Sequence, residues 1–258
     1  MSVFSDVGAT FTRWRVWFLL GNQDISLRYR RSIIGPFWIS LSLGAMVLGM
    51  GLLYSQIFTA DIGTYLTWLG ASFLVWILVS SMINEGCAVA MEAESQLRSV
   101  PLPLPVLAAR MLHRNFVIFL HNTIVITVLM AMFGYRPGME LLYAPAGLAV
   151  LLMIGYFATL ILAPLCLRFR DVPQIIGNML QIVFFITPII WMPSQGRVNP
   201  LIIQFNPFHH MLEIVRAPIL GAPPTELNWI VTLSMLGGLM LISMVVLGLT
   251  RRRIFVWL

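Results

Sequence analysis

The sequence predicts an all-α integral membrane protein with six transmembrane helices. Of its 258 residues, 59% are hydrophobic and only 10% are charged, whereas a soluble domain carries about a quarter charged residues. The mean hydropathy is +0.89. So few polar side chains cannot cover a globule in water, and lipid must therefore be the solvent. The polar residues also collect between apolar runs of about 20 residues, the length that spans a bilayer.

The first element is predicted to be an amphipathic helix on the membrane surface. Its apolar residues recur at steps of three and four, as on one face of a helix. Arg13 and Arg15 lie off that face. The residues of the face are Phe4, Val7, Phe11, Trp14 and Phe18.

Six apolar runs follow and are predicted to span the membrane. The spans are 37–58, 65–83, 106–133, 145–167, 175–191 and 229–249. A polar stretch at 84–105 separates the second span from the third. The segment 192–228 is too long for a turn, and its apolar part is too short to cross a bilayer. We expect short re-entrant helices there, because backbone at that depth must satisfy its own hydrogen bonds.

The arginines predict the orientation of the spans. All 16 basic residues are arginines, and only Arg136, Arg197 and Arg216 fall on the side opposite the N-terminus. Because positively charged loops stay in the cytoplasm, both termini are predicted to be cytoplasmic, which agrees with an even number of spans. This placement also explains the net charge of +6 without a nucleic-acid partner.

Several kinds of chemistry have no signal in the sequence. It contains neither the phosphate loop G-x-x-x-x-G-K-[ST] nor the catalytic motifs H-E-x-x-H and G-x-S-x-G. Cys87 and Cys166 lack metal or redox spacing, and we interpret them as small hydrophobic residues. The acidic residues lie in loops or near helix ends, unlike those of an ion-coupled pump. We therefore expect no enzyme activity, metal or cofactor in this chain, and a transporter of this kind would take its energy from a partner.

Four motifs are similar to those of a known family. Residues 24–38, DISLRYRRSIIGPFW, resemble the N-terminal signature of ABC-2-type permeases. Within that family they are most similar to the Wzm- and KpsM-like subunits, which export lipid-linked O-antigen or capsular polysaccharide. Three further stretches agree in the same order, and they are VPLP at 100–103, FRDVPQ at 169–174, and Asn206-Pro207-Phe208 followed by Glu213 and Arg216.

The resemblance implies a homodimer that pairs with two copies of a separate ATPase subunit, on which ATP and Mg would bind. Residues 1–36 would form a cytoplasmic interface helix and a gate loop, and residues 37–258 the transmembrane domain. The implied location is the inner membrane of a bacterium, and the implied substrate is a lipid-linked polysaccharide.

The resemblance also implies a gate at the cytoplasmic mouth of the channel. Ile34 and Gly35 would lie in the gate loop, where the family usually has Leu-Gly. Beside them, three arginines would meet either the ATPase or the pyrophosphate of the substrate, and the alternative is that they only orient the chain on an anionic leaflet. These arginines are Arg28, Arg30 and Arg31.

Two further groups take roles from the resemblance. The loop between the second and third spans resembles a coupling helix, in which Glu92, Glu94 and Arg98 would dock on the ATPase. An ordinary solvated loop is the alternative. The segment 192–228 matches the periplasmic gate helices of the family, and its candidate residues are Asn206, Pro207, Phe208, Glu213 and Arg216.

Aromatic side chains are candidates for the wall of a channel that carries sugars. Aromatic faces allow sugar rings to stack without tight binding. The candidates are Tyr54, Trp68, Phe73, Trp76, Tyr156 and Phe184. For each of them a position facing lipid or in the interfacial belt is the alternative, because the sequence does not tell which helix face lines a pore.

Three functions stay open at this point. The leading hypothesis is the membrane subunit of an ATP-driven exporter of undecaprenyl-linked polysaccharide, with O-antigen as its first candidate cargo, through a channel formed by two copies. The second keeps the fold but changes the cargo to capsule, a teichoic acid, a drug or a lipid. The third is a membrane-embedded enzyme for polyprenyl phosphates. It would need clustered acidic and basic residues near one leaflet, and the acidic residues here are scattered.

Overall fold

The computed structural model describes residues 3–28, 30, 34–35, 37–93, 102–136, 138–193, 198–250 and 254. All regular secondary structure in these residues is helical, which confirms the predicted class for this part of the chain. The helices are α1 (Val3–Thr12), α2 (Trp14–Arg28), α3 (Phe37–Ile57), α4 (Ile62–Glu92), α5 (Leu104–Met132), a 3-10 helix (Met139–Leu142), α6 (Tyr143–Arg168), α7 (Val172–Ile186), α8 (Pro200–Gln204), α9 (Pro207–Ile219) and α10 (Glu226–Thr250).

Five helical segments in the described residues are long and apolar enough to span a bilayer. They are α3, α4, α5, the continuous segment Met139–Arg168, and α10. The predicted count of six is not confirmed, because α7 has only 15 residues. Its length of about 22 Å is less than the hydrocarbon thickness of about 30 Å. Two short helices, α8 and α9, occupy the segment predicted to be re-entrant, and their depth in the bilayer stays a prediction.

α4 is longer than the predicted second span and ends at Glu92. Asp61 caps its N-terminus, because the carboxylate accepts hydrogen bonds of 2.9 Å from both the backbone nitrogen and the hydroxyl of Thr64. These bonds hold the pKa of Asp61 below its ordinary value. The first part of the polar stretch 84–105 is helical because four of its residues continue the buried face of α4. They are Gly86, Cys87, Val89 and Ala90.

α4 is also the central helix of the molecule. It contacts α3, α5, α6, α7 and α9. It is the most buried of the five candidate spans, and α10 is the least buried. α3 and α10 therefore present most of their apolar surface outward, to lipid or to another chain. The buried stripe of α3 consists of Ser40, Leu43, Val47, Gly51 and Ser55.

The N-terminal arm (α1 and α2) is two helices, not the single one predicted, and the turn between them is at Arg13. Both helices lie against α5. α2 approaches α5 closely at Gly21, where a Cβ would lie 2.7 Å from Cδ2 of His113. Asn22 adds a polar contact, since its Oδ1 lies 3.1 Å from Nε2 of the same histidine. The arm is therefore packed on the helix bundle along α2.

α6 and α9 cross at Gly147, where their backbones touch. A Cβ at this position would lie 2.3 Å from the carbonyl oxygen of Ile214, closer than real contacts allow. Small residues commonly permit this close approach between helices in membranes.

Gly147→Ala is therefore expected to destabilise the protein by about 1–3 kcal/mol, because the neighbouring backbone must move to admit the methyl group. The matched control is Gly237→Ala on α10, where a Cβ would meet nothing within 4 Å. The melting temperature of each variant in detergent, followed by circular dichroism, measures the effect. Equal melting temperatures for the two variants would contradict the crossing at Gly147.

Candidate functional site

Three groups of side chains follow one another along α4. Near its start, Trp68 contacts Arg216 of α9. Farther along, Trp76 borders a groove. Near its end, Glu85 pairs with Arg114 of α5. Between Trp68 and Glu85 the helix rises by about 25 Å, and α4 therefore connects two distant parts of the molecule.

The first group surrounds Arg216, which is fully buried. One terminal nitrogen, Nη1, donates to Oγ of Ser72 at 2.9 Å and to the carbonyl of Pro188 at 2.5 Å. The other, Nη2, donates to the carboxylate of Glu213. The guanidinium lies over the ring of Trp68, with Cζ 4.0 Å from the ring centroid. These five residues are the Arg216 cluster, and their contacts are what permit a buried cation.

The Arg216 cluster stabilises a bend at residues 187–191, directly after α7. Non-helical backbone at membrane depth must be enclosed by protein and hydrogen-bonded. Arg216 supplies one donor to the bend, and the hydroxyl of Tyr65 supplies another, to the carbonyl of Ile190 at 2.6 Å. Nδ2 of Asn206 donates to Oγ1 of Thr187 at 2.8 Å. Side chains of α4 and of α9 with its cap therefore hold the bend in place.

The start of α9 follows from three consecutive residues. Asn206 is the N-cap, because its Oδ1 accepts hydrogen bonds from the backbone nitrogens of Phe208 and His209 at 3.0 and 3.3 Å. Pro207 occupies the first turn, where no backbone donor is needed. Phe208 then places its ring 6.1 Å from that of Trp76. The motif both starts α9 and sets it against α4.

The second group lines an open groove of about 480 Å³ between α3, α4 and α7, the aromatic groove. The ring of Phe184 lies 5.7 Å from that of Phe73 and 5.6 Å from that of Trp76. Phe185 adds a fourth ring to the wall. Ring faces beside amide and hydroxyl groups suit a sugar, since its apolar face can stack and its hydroxyls can form hydrogen bonds. The polar side chains of the groove are Ser80, Asn84 and Gln181.

Three of the six candidate channel aromatics meet in this groove, and the other three lie elsewhere. Trp68 lies in the Arg216 cluster. Tyr54 stacks on Phe58 at 5.9 Å between ring centroids. The hydroxyl of Tyr156 lies 2.7 Å from Oγ1 of Thr10 in the arm. A role in lining a channel stays a prediction for all six.

The third group is a network of buried charges, the Arg114 cluster, which brings together two acidic residues that the sequence analysis describes as scattered. Arg110 makes a bidentate pair with Asp24 of α2, with 2.7 Å between Nε and Oδ2 and 2.5 Å between Nη2 and Oδ1. Arg114 lies 3.4 Å from Asp24 and 2.8 Å from Glu85. Asn115 donates to the same oxygen of Glu85 at 2.6 Å. The four charged side chains are at most 22% exposed.

The Arg114 cluster joins the arm to α4 through α5. Its two arginines balance its two carboxylates, so that no buried charge is left unpaired. Arg28 at the end of α2 approaches Glu85 at 3.9 Å, and Glu92 at the end of α4 approaches Arg114 at 4.0 Å. The arm and α4 are therefore joined through buried ion pairs, and separating them would leave buried charges without partners.

The predicted gate residues lie just after the arm. Gly35 has a φ of +63°, in the left-handed region that favours glycine. Ile34 beside it is 46% exposed, and Arg28 and Arg30 are also exposed. Arg31 lies outside the described residues.

Of the predicted coupling residues, only Glu92 is described. It is the last residue of α4 and its side chain is 58% exposed, so it is open to a partner. Glu94 and Arg98 lie outside the described residues, and their docking role stays a prediction.

The structure adds residues that the sequence analysis does not assign to the site. The sequence analysis counts Arg110 and Arg114 only as charges that orient the chain in the membrane. Their spacing of four residues indicates that they lie on one face of a helix and could act together. Asp24 and Glu85, their partners, are far away in sequence. His210 is also missing from the prediction, and it is buried, with Nε2 donating to the carbonyl of Gln204 at 2.8 Å and Nδ1 2.7 Å from Oδ1 of Asn228.

Comparison with known proteins confirms the predicted resemblance to O-antigen export permeases of the ABC-2 type. The chain is 24% identical over 201 residues to the O-antigen export system permease protein RfbA of Myxococcus xanthus, and the match covers 77% of each chain. It is 20% identical over 196 residues to the O-antigen export system permease protein RfbA of Klebsiella pneumoniae, covering 75% of this chain and 76% of that protein. No family model matches the chain.

Proposed function

We propose, from its similarity to O-antigen export permeases, that this chain is the membrane-spanning subunit of an ATP-driven exporter of undecaprenyl-linked polysaccharide, with O-antigen as the cargo. The structural observation that supports a sugar polymer as the cargo is the aromatic groove, which combines four ring faces with amide and hydroxyl side chains. The resemblance to ABC-2-type permeases assigns ATP hydrolysis to two copies of a separate subunit, which agrees with the lack of a phosphate loop in this sequence.

The channel lies between two copies of the chain in this proposal. The groove is open, and the adjoining face of α7 exposes large apolar residues, which are Ile175, Met179, Ile182 and Phe185. A second copy would cover this apolar face and turn two open grooves into one enclosed conduit. Each aromatic contact contributes only about 0.5–1.5 kcal/mol, so a polymer that stacks on the rings can still advance in steps.

The two polar clusters act at opposite ends of the conduit. The arginine-rich side of the chain faces the cytoplasm of a bacterial inner membrane, which places the arm, the Arg114 cluster and Glu92 next to the ATPase. The Arg216 cluster then lies on the periplasmic side as part of the periplasmic gate. ATP-driven closure of the partner subunits displaces the arm and the end of α4. α4 then transmits this motion to the aromatic groove and to the periplasmic gate.

The experiment that tests the function is deletion of the gene in its native host, with polysaccharide measured separately on the surface and in the cells. We expect lipid-linked polymer to accumulate inside and to disappear from the surface, and we expect restoration to require both this chain and an ATPase subunit. Unchanged surface glycans would contradict the cargo and direct attention to capsule, teichoic acid, drug or lipid export.

Phe184→Leu is expected to lower export by about tenfold, because it removes a stacking face while the groove stays apolar. Phe184→Tyr keeps the ring and is expected to retain export. The amount of surface polysaccharide, normalised to the amount of protein in the membrane, compares the two variants. If leucine and tyrosine export equally well, the ring face has no part in moving the polymer.

Gly35→Val is expected to impair export while leaving membrane insertion intact. A β-branched residue is strained at a φ of +63°, at a cost of about 1–3 kcal/mol, so the gate loop must change its path. Gly35→Asn is the matched variant, because asparagine tolerates the left-handed region. Surface polysaccharide measures both, and normal export in the valine variant would remove Gly35 from the gate.

A further inference from the structure

A large apolar groove lies between the N-terminal arm, α5 and α6 beside the places where the arm contacts α5, and the proposed function does not use it. This arm groove has a volume of about 560 Å³, within the range of about 300–1,000 Å³ that is typical of ligand sites. Phe11 and Phe18 form its wall on the arm, and both are exposed, Phe11 at 77%. Leu112, Phe116 and Met153 form part of the opposite wall.

The polar groups in the wall of the arm groove are occupied by other protein groups. The hydroxyl of Thr10 bonds to that of Tyr156 at 2.7 Å, and the carbonyl of Thr10 accepts from Nε1 of Trp17 at 2.8 Å. His113 lies 3.1 Å from the amide oxygen of Asn22. Each of these groups already has a protein partner, and most of the other lining side chains are apolar, so the groove suits an apolar occupant.

The position of the arm groove indicates what kind of apolar molecule would occupy it. An amphipathic surface helix lies at the boundary between the headgroups and the acyl chains, and this groove lies between such an arm and two membrane-spanning helices. At that depth the groove is surrounded by the parts of the lipid acyl chains that lie next to the headgroups.

The positive charges near the arm groove indicate the kind of lipid headgroup that would lie beside it. Arg13 and Arg15 are exposed at the turn between α1 and α2, a few residues from the groove residues Phe11 and Trp17. Exposed arginines near a membrane surface attract anionic lipids by about 1 kcal/mol each. An acyl chain in the groove would bring its own phosphate to the level of this turn.

We propose that the arm groove binds one acyl chain of an anionic phospholipid, with the phosphate held at Arg13 and Arg15. The lipid fills the space under the arm and seats it on α5 and α6. The site does not depend on export. It rests on the predicted position of the arm at the membrane surface, and its assignment to the cytoplasmic leaflet rests on the proposed orientation.

The test uses the full chain in phosphatidylcholine vesicles that contain a phosphatidylglycerol with a photoreactive diazirine on one acyl chain. We expect cross-links on peptides that contain Leu112, Phe116 or Met153. Met153→Trp fills the groove and is expected to abolish them, whereas Leu120→Trp, on an exposed face of α5 outside the groove, is expected to leave them unchanged. Arg13→Gln and Arg15→Gln are each expected to weaken labelling about fivefold.

Three results would overturn the proposal. The first is labelling that is as strong at Leu120 as in the groove, which describes ordinary lipid contact. The second is equal labelling by a phosphatidylcholine that carries the same diazirine, which removes the anionic headgroup from the site. The third is displacement of the probe by undecaprenyl phosphate at an equal mole fraction, which would make the groove a site for the lipid of the exported substrate.

Discussion

Arg216→Met is expected to stop export and to lower the free energy of unfolding by about 3–5 kcal/mol. The change leaves the carboxylate of Glu213, 15% exposed, without its cation. It also removes both hydrogen bonds of Nη1, to Ser72 and to the carbonyl of Pro188, so the bend after α7 loses a donor that it needs at this depth. Surface polysaccharide and the melting temperature in detergent measure the two effects.

The double variant Arg216→Met with Glu213→Gln separates the charge from the hydrogen bonds. It removes the unpaired carboxylate, and replacing a whole buried pair by uncharged side chains is often close to neutral for stability. We expect the melting temperature to recover largely and export to stay low. Full recovery of export in the double variant would show that Arg216 serves only to neutralise Glu213.

Arg114→Met is expected to have a comparable effect at the other end of α4. It removes the cation that lies between Asp24 and Glu85, and the loss of one partner from a buried network costs about 3–5 kcal/mol. The pair between Asp24 and Arg110 then remains as an ionic link between the arm and α5. In the proposed complex with an ATPase subunit, we expect export to fall while ATP hydrolysis continues, because in the proposed mechanism the arm moves α4 through this cluster.

A double-mutant cycle supplies the control for the Arg114 cluster. Asp24→Asn, Arg110→Met and the combined variant give the coupling energy between the arm and α5, free of the separate cost of each change. We expect a coupling of about 1–3 kcal/mol, typical of residues in one charge network. Additive effects would show that Asp24 and Arg110 do not couple the arm to α5, and export that falls in parallel with ATP hydrolysis in Arg114→Met would contradict transmission through α4.

Most of the helices could be predicted from the sequence because each signal is local. An apolar run of sufficient length needs no knowledge of its neighbours, and the spans 37–58, 106–133, 145–167 and 229–249 agree with α3, α5, α6 and α10 to within a few residues. The start of α9 at Asn206-Pro207-Phe208 is equally local, since a cap and a proline act on their own backbone. The prediction for α4 fails because its neighbours decide, since α4 continues through a polar stretch along its buried face. The prediction for α7 missed a local signal, because Pro188 disfavours helical backbone at Thr187, and partners on α4 and α9 then hold the bend that follows.

The candidate site also has features that the sequence predicts and features that only the structure shows. The sequence by itself determined that the solvent is lipid, that most of the basic residues lie between the apolar runs and that the chain carries no phosphate loop, because composition and spacing suffice for each. Only the tertiary structure decided which aromatics share a groove and which charges pair. Asp24 and Arg110 are 86 residues apart, and Ser72 and Arg216 are 144 apart. A buried charge must find a partner, but sequence spacing does not say which one, since the choice depends on how whole helices pack.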